Sequence, residues 1–328
     1  MSLLRRRLHP ERLTGRSVCF TPGKHRARVI WRFTDGKPGH DNQSLGLTDA
    51  LQRQLQLEIH DIPVPPRMAA WQAWLTGRFP AARLLPDPWL LVGAGRATQV
   101  PLLAARRARG GRLVTLMSPG LPGRLFDLCL IPEHDRPAAA RNVLTTQGSL
   151  NRIQPVAGHA GDSGLILVGG PSRHFDWQSE TIIRQVVRII RFSPLRHWVL
   201  ATSRRTPAGF AGQVNNTIFN TNKSLRIVPW RDTAPGWLQQ QLGQAACVWV
   251  TGDSVSMIYE ALTARVPVGV LALPGKRDGR VVRGVRQLLD TQQVTAFDAW
   301  CRGRPLRNPE TIYAEASRCA QWICTHWG

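Results

Sequence analysis

"VWVTGDSVSMIYEAL", Val248 to Leu262, starts as a short apolar run, turns through Thr251 and Gly252, and continues with helical spacing. A buried strand that passes through a glycine turn straight into a helix is the βα unit of a parallel sheet. Asp253 or Ser254 is a natural helix N-cap, with Ser256 in the first turn. The unpaired N–H groups and positive dipole end of that helix make a ready phosphate site, to which the hydroxyls of Ser254 and Ser256 add donors. Glu260 follows nearly two turns on, within reach of a ribose or sugar hydroxyl if the helix start faces a cleft. Capping alone would account for Asp253 and Ser254; the second hydroxyl and the later acid exceed what a cap requires.

The same alternation extends in both directions. "VIWRF" (29–33) reads as a strand, 42–56 as a helix, "LEIHDIPV" (57–64) as a strand, and "WLLVGAG" (89–95) as a strand feeding a helix through Arg106. "RLVTLM" (112–117) and "LFDLCLI" (125–131) are strand-like, and a polar segment runs from about Pro132 to Gly164. A second series follows: "GLILVGG" (164–170), a helix over 178–192, "HWVLATS" (197–203), "LRIVPW" (225–230), a helix over 235–244, "ACVWVTG" (246–252), a helix over 254–264 and "PVGVLAL" (267–273). Continuous apolar strands separated by helices predict parallel sheets covered on both faces. The expected fold class is therefore α/β, with two Rossmann-like doubly wound domains facing a cleft, over residues 29–160 and 161–328. Residues 1–28 hold eight Arg or Lys against the single acid Glu11, which reads as a disordered basic arm.

The 328 residues are 43% hydrophobic, enough for a sizeable core in two domains of about 150 residues each. The net charge is +22, and only Lys24, Lys37, Lys223 and Lys276 of the basic residues are lysine. Such a field favours polyanionic partners: phosphorylated substrates, an anionic membrane face or nucleic acid. It does not choose among them, although no aromatic-basic module or helix-turn-helix pattern is present, so nucleic acid is not the expected partner. The six cysteines lie far apart without a C-x-x-C pair and read as reduced thiols of a cytoplasmic protein. No apolar run approaches the roughly 20 residues of a membrane-spanning helix, and no secretion signal is recognisable.

Ligands of doubly wound sheets bind beyond the C-terminal strand ends, and the polar motifs fall there, on 34–43, 93–98, 118–124, 169–175 and 251–256. "LVGGPSRHF" (167–175) pairs Gly169 with Gly170, permitting close backbone approach, and then offers Ser172 and Arg173, whose guanidinium suits a diphosphate. A tight turn alone would need only the glycines. In "ATSRRTP" (201–207), Ser203, Arg204 and Arg205 at a strand end are candidates to bind phosphate, with simple solvation the alternative for Arg205. "VGAGRATQ" (92–99) has two of the three glycines of a dinucleotide fingerprint but Thr98 in the third place, so it is a close-approach loop with Gly95 and Arg96 toward the cleft rather than a dinucleotide motif.

"TDGKPGHDNQ" (34–43) holds Asp35, Lys37 and His40 within six positions. A turn accounts for Gly36, Pro38, Gly39 and a helix start at Asn42, but not for Lys37, His40 and Gln43. Imidazole beside a carboxylate suits a general base acting on a hydroxyl nucleophile. No GxxxxGK[ST], H-E-x-x-H or G-x-S-x-G motif occurs. No D-x-D pair is present to hold a metal-bound diphosphate, so arginines and helix starts are expected to neutralise one, without a metal.

Taken together, "TDGKPGHDNQSLGL" (34–47), "VGAGR" (92–96), "LVGGPSRHF" (167–175) and "TGDSVSMIYEAL" (251–262) resemble the ELM1 family, named for a plant mitochondrial-fission factor and with bacterial members regarded as glycosyltransferases. The resemblance implies a GT-B pair of domains, with a nucleotide-sugar donor held by the C-terminal one. Gly169, Gly170 and the Asp253–Ser256 turn would approach the diphosphate, and Glu260 would hold the ribose. The remaining donor-side candidates are Ser172, Arg173, Ser203, Arg204 and Thr251. The acceptor would enter near Asp35 and His40, with Lys37, Gln43, Gly95 and Arg96 beside it. The expected activity is metal-independent sugar transfer, with no cofactor beyond the donor, to a lipid-linked or lipopolysaccharide-type acceptor at an anionic membrane surface. Its expected location is the cytoplasmic face of a bacterial membrane, held peripherally. The plant branch implies an alternative, a non-catalytic membrane-associated adaptor.

Overall fold

The computed structural model describes residues 27–156, 161–218, 223–276 and 279–328. The basic arm expected over 1–28 lies outside these, apart from its last two residues. The first sheet contains β1 (Arg28–Thr34), β2 (Leu57–Pro63), β3 (Leu90–Ala94), β4 (Arg112–Leu116), β5 (Leu128–Pro132) and β6 (Val143–Thr146). Its order is β2-β1-β3-β4-β5-β6, with every pair parallel. The second contains β7 (Ser163–Leu167), β8 (His197–Ala201), β9 (Ser224–Val228), β10 (Ala245–Thr251), β11 (Val268–Leu271) and β12 (Thr295–Ala296). Its order is β12-β11-β10-β7-β8-β9, again all parallel.

The helices are α1 (Pro38–Gln52), α2 (Arg67–Thr76), α3 (Gln99–Arg109), α4 (Ser179–Phe192), α5 (Phe210–Ile218), α6 (Trp237–Gln244), α7 (Val255–Thr263), α8 (Arg280–Asp290), α9 (Phe297–Cys301) and α10 (Glu315–Trp327). Each sheet separates two apolar clusters because successive strand side chains alternate faces. Ile30, Leu90 and Val92 pack one way in the first sheet and Trp31, Phe33 and Leu91 the other. In the second, Leu165, Val248 and Val250 oppose Ile166, Val168 and Trp249. Gly164 stands directly across from Trp198, and Gly269 across from Trp249, so each missing side chain admits an indole. The two Rossmann-like doubly wound domains expected from the sequence are present.

Arg32 is the exception in β1, a charged side chain only 4% exposed. Its cross-strand neighbour is Asp61. The guanidinium fork donates to both Asp61 carboxylate oxygens and, at 3.2 Å, to Ser44 Oγ of α1. Burial there is tolerable because the charge is paired and its donors are engaged.

Three local features differ from the sequence reading. Helix α1 begins at Pro38 rather than Asn42, because Gly36 takes φ +71 to turn the chain and proline at N1 is already set for a helix. His40 and Gln43 therefore lie on the first turns of α1, not in a loop. β6 lies inside the expected polar segment; as a half-buried edge strand it needs no continuous apolar run. Finally, α10 returns to the first domain, where Ala316, Cys319, Ala320 and Ile323 join Leu47, Leu51 and Leu90. Chain order alone places that helix with the second domain. Burial pushes the thiols of Cys247 and Cys319 up to about 12 and that of Cys129 to about 11, as core thiols require.

The segment leading to β7 is pinned between the domains. Asn151 Nδ2 donates to Thr263 Oγ1 at 3.1 Å, its backbone lies against Gly46 of α1, and Arg152 pairs with Asp49 at 2.7 Å.

Candidate active site between two switch points

In a doubly wound sheet, the loops leaving the two strands at which the strand order reverses splay apart and open a crevice. These strands are β1 and β3 in the first sheet, β7 and β10 in the second. The motifs singled out above occupy all four exits: Asp35–His40, Gly95–Arg96, Gly169–Arg173 and Gly252–Ser256.

On the first domain, Asp35 Oδ2 lies 2.9 Å from Nδ1 of His40 and 3.3 Å from Nζ of Lys37, while its Oδ1 accepts the Lys37 N–H at 3.2 Å. Burial works against the charge on Asp35, but the hydrogen bonds and positive charge of His40 and Lys37 outweigh it and hold its pKa below the usual carboxylate value. The bond to Nδ1 orients the imidazole and leaves Nε2 as the nitrogen for a substrate proton. The ring lies against Gly95, which has φ +82, and a methyl group there would come within 3.0 Å of the ring atoms. That glycine is required twice, by its backbone and by the ring it accommodates. Arg96 is exposed, with its stem across Gly120. The Lys37 side chain is exposed, whereas Gln43 is buried.

On the second domain, the glycines serve close packing within the protein. A Cβ on Gly169 would collide with Asp253 and Ser254, and one on Gly170 with the Arg205 carbonyl. Both amides are already engaged: Gly169 N–H donates to Thr251 Oγ1 at 2.8 Å, and Gly170 N–H to Asp253 Oδ2 at 3.1 Å. Asp253 is buried and pairs with Arg205 at 2.6 Å. Arg205 also donates to Ser254 Oγ at 3.0 Å and to the Gly170 carbonyl at 2.9 Å. Thus Arg205, read from the sequence as either a phosphate ligand or a solvated side chain, binds the β7, β8 and β10 exits together. Ser203 Oγ donates to the Gly169 carbonyl at 2.9 Å, and Ser172 Oγ caps the amides of His174 and Phe175. Arg173 is exposed, with its Nε 3.1 Å from His174 Nε2.

Ser254 is the N-cap of α7 but makes no side-chain cap bond. Its hydroxyl faces Arg205 and Asp253, so among the described residues the first-turn amides of α7 have no side-chain acceptor, with the exposed Ser256 among them. Along α7, Met257 and Glu260 line a cavity of about 880 Å³. It is walled by Trp230 and Trp237, edged by Arg204 and Ser203, and reaches α1 through Asn42 and Asp49. Arg204 stacks over Trp230 with its guanidinium 5.1 Å from the ring centre. Burial pushes the Glu260 carboxyl up to about 7, partly opposed by the 2.8 Å hydrogen bond from Asn42 Nδ2. His40 lies outside the lining of this cavity, two residues before Asn42 on the same helix. Among the described residues, no three His, Cys, Asp or Glu converge as metal ligands.

Sequence reasoning missed Asn42, Trp230, Trp237 and the role of Arg205. A tryptophan at a strand exit, "IVPW" (227–230), was the available signal for the cavity wall.

Paired parallel domains with opposed switch points define the GT-B type of fold found in nucleotide-sugar transferases and epimerases. The chain belongs to the mitochondrial fission ELM1 family, whose sequence model matches residues 38–327. An uncharacterised protein of Rickettsia prowazekii (strain Madrid E) is 22% identical, over 82% of this chain and 90% of that protein. Among solved structures, Acinetobacter baumannii MurG superposes with a TM-score of 0.55 at 11% identity, covering 91% of this chain and 99% of that one. The UDP-GlcNAc 2-epimerase of Methanocaldococcus jannaschii gives 0.52 at 12%, with coverage of 91% and 99%. At such identities the likeness to both is one of fold.

Proposed function

We propose that the protein is a glycosyltransferase that takes a sugar from a nucleotide-activated donor. The observation that carries this reading is the cavity at the β7–β9 exits, where an aromatic wall suits a base and Glu260 suits ribose hydroxyls; the uncapped start of α7, outside that lining on the same helix as Glu260, suits a diphosphate. The MurG and UDP-GlcNAc epimerase folds support it as analogy. Arg205 and Ser254 border the diphosphate position, and Arg204 with Trp230 borders the base.

In the proposed reaction the acceptor oxygen bonds to the anomeric carbon and the bond from that carbon to the diphosphate breaks. The nucleoside diphosphate departs, and the acceptor proton passes to Nε2 of His40, which Asp35 orients. No cofactor beyond the donor and no resident metal takes part. The acceptor is a cell-envelope molecule, lipid-linked or of lipopolysaccharide type, met by Lys37 and Arg96 at a bacterial cytoplasmic membrane face. Association there is proposed to be peripheral; among the described residues no helix is long and apolar enough to cross a membrane.

Calorimetric titration with UDP, GDP and CMP tests the reading. Saturable micromolar binding of one nucleotide, lost in a Ser254→Ala, Glu260→Ala double variant, is the expected result. Membership of a family named for mitochondrial fission favours a second reading, a membrane adaptor without catalysis, and absence of binding by all three nucleotides would leave that reading standing.

A further inference from the structure

The outer surface of the first domain carries a feature that neither the cleft nor the core uses. Helix α2 buries Ala70 and Ala73 against the domain, yet its opposite face, Met68, Trp71 and Leu75, is apolar too. Met68 is 71% exposed and Leu75 66%, with Trp71 half-buried between them. A surface helix ordinarily turns its apolar residues toward the core and polar ones outward. After Gly77 ends α2 in the left-handed region, the chain presents Leu84, 95% exposed.

That exposure is built into the fold. Arg109 of α3 donates to the carbonyls of Ala82 at 3.2 Å, Arg83 at 3.3 Å and Leu85 at 2.8 Å, and Asp87 holds its Nε at 2.5 Å. The backbone on both sides of Leu84 is therefore fixed. The frame around the apolar residues is basic: residues 64–86 contain Arg67, Arg78 and Arg83 and no Asp or Glu. Arg107 adds its guanidinium over Trp74, 5.9 Å from the ring centre.

We infer that this face docks the protein on an anionic lipid bilayer. Met68, Leu75 and Leu84 enter the acyl boundary, Trp71 lies at the headgroup level, and Arg67, Arg78, Arg83 and Arg107 meet lipid phosphates. Apolar side chains standing singly on a helix and loop, interspersed with the uncharged Gln72 and Thr76 and edged by arginines, match a deformable apolar phase bordered by phosphates. A second copy packed face to face would set arginine against arginine. The patch starts at Arg67, just past the end of β2, which closes level with the end of β1. Docking there brings Asp35 and the first turn of α1, with His40, toward the headgroups. The inference deepens the membrane part of the proposed function and does not depend on the donor.

Flotation of the full chain with phosphatidylcholine vesicles, with and without phosphatidylglycerol, tests it. The wild type should float only with the anionic lipid. A Met68→Ser, Leu75→Ser, Leu84→Ser variant should lose partitioning about tenfold or more, with unchanged unfolding temperature because all three side chains are exposed. Leu84→Ser alone should lose part of that. The inference is overturned if the wild type does not float, or if the triple variant floats equally well. A triple variant that changes oligomeric size while leaving flotation intact also overturns it, as a self-interface. Nucleotide titration of the triple variant should match wild type, so a failure of the donor reading would be visible separately.

Discussion

Asn42 Nδ2 and Glu260 Oε1 are 2.8 Å apart, a hydrogen bond between helices of different domains and residues 218 positions distant. Asn42 shares the opening of α1 with His40, so the helix that carries the proposed base also holds the carboxylate of the proposed ribose site.

Burial, partly opposed by this contact, makes Glu260 pH-sensitive in two readouts. Its pKa rises from 4.5 to about 7 on folding, so between those values the folded state holds a proton that the unfolded state has released. Stability should therefore fall as pH rises from about 4.5 to about 7, by up to about 3 kcal/mol. Urea unfolding across that range should show the slope in wild type and a shallower one in Glu260→Gln. Nucleotide affinity should rise through pH of about 7 as the carboxylate forms, and Asn42→Ala should move that rise to higher pH.

His40→Ala should lower the transfer rate on a defined acceptor by about 10²–10⁴-fold. Asp35→Asn keeps the imidazole in place but weakens the bond that orients it, so the rate should fall less than in His40→Ala. A full rate from His40→Ala would remove His40 from the mechanism.

Gly95→Ala tests the packing under the imidazole. Both the backbone at φ +82 and the His40 ring oppose a methyl group there, and the expected loss is about 1–3 kcal/mol in urea unfolding. Transfer should suffer more than nucleotide binding, because the disturbance lies in the acceptor domain.

Asp253→Asn removes the charge that Arg205 and the Gly170 amide share. Because Arg205 can turn to water, the expected loss of stability is about 1–3 kcal/mol rather than that of a wholly buried ion pair. Nucleotide binding should weaken as the β7 exit loosens, as read by the same titration.

Ile323→Ala should cost about 2–4 kcal/mol. Hydrogen exchange should then quicken in α1 and the first sheet, not in α7, because α10 packs on the first domain.

Much of this architecture was legible in the chain. Apolar runs feeding glycine turns and helices dictate parallel strands, and the rule that ligands lie beyond strand ends led to all four switch-point loops. Asp35 and His40, five positions apart, could be paired by eye because their geometry is local. The start of α1 at Pro38 was local as well, but the surrounding turn residues Gly36 and Gly39 masked it.

The rest depends on which distant segments meet. Whether Gly169 and Gly170 face a ligand or Asp253 and Arg205 is a matter of packing between three strand exits, and only the folded sheet brings those exits together. Trp230 becomes a cavity wall only once β9 lies beside β8, and α10 joins the first domain because its apolar face fits the surface left open beside α1. Hydrophobic periodicity fixes strands, helices and their alternation, since these are properties of neighbouring residues. Partners such as Asn42 and Glu260 are selected by the closing of two domains on each other, which no local pattern encodes.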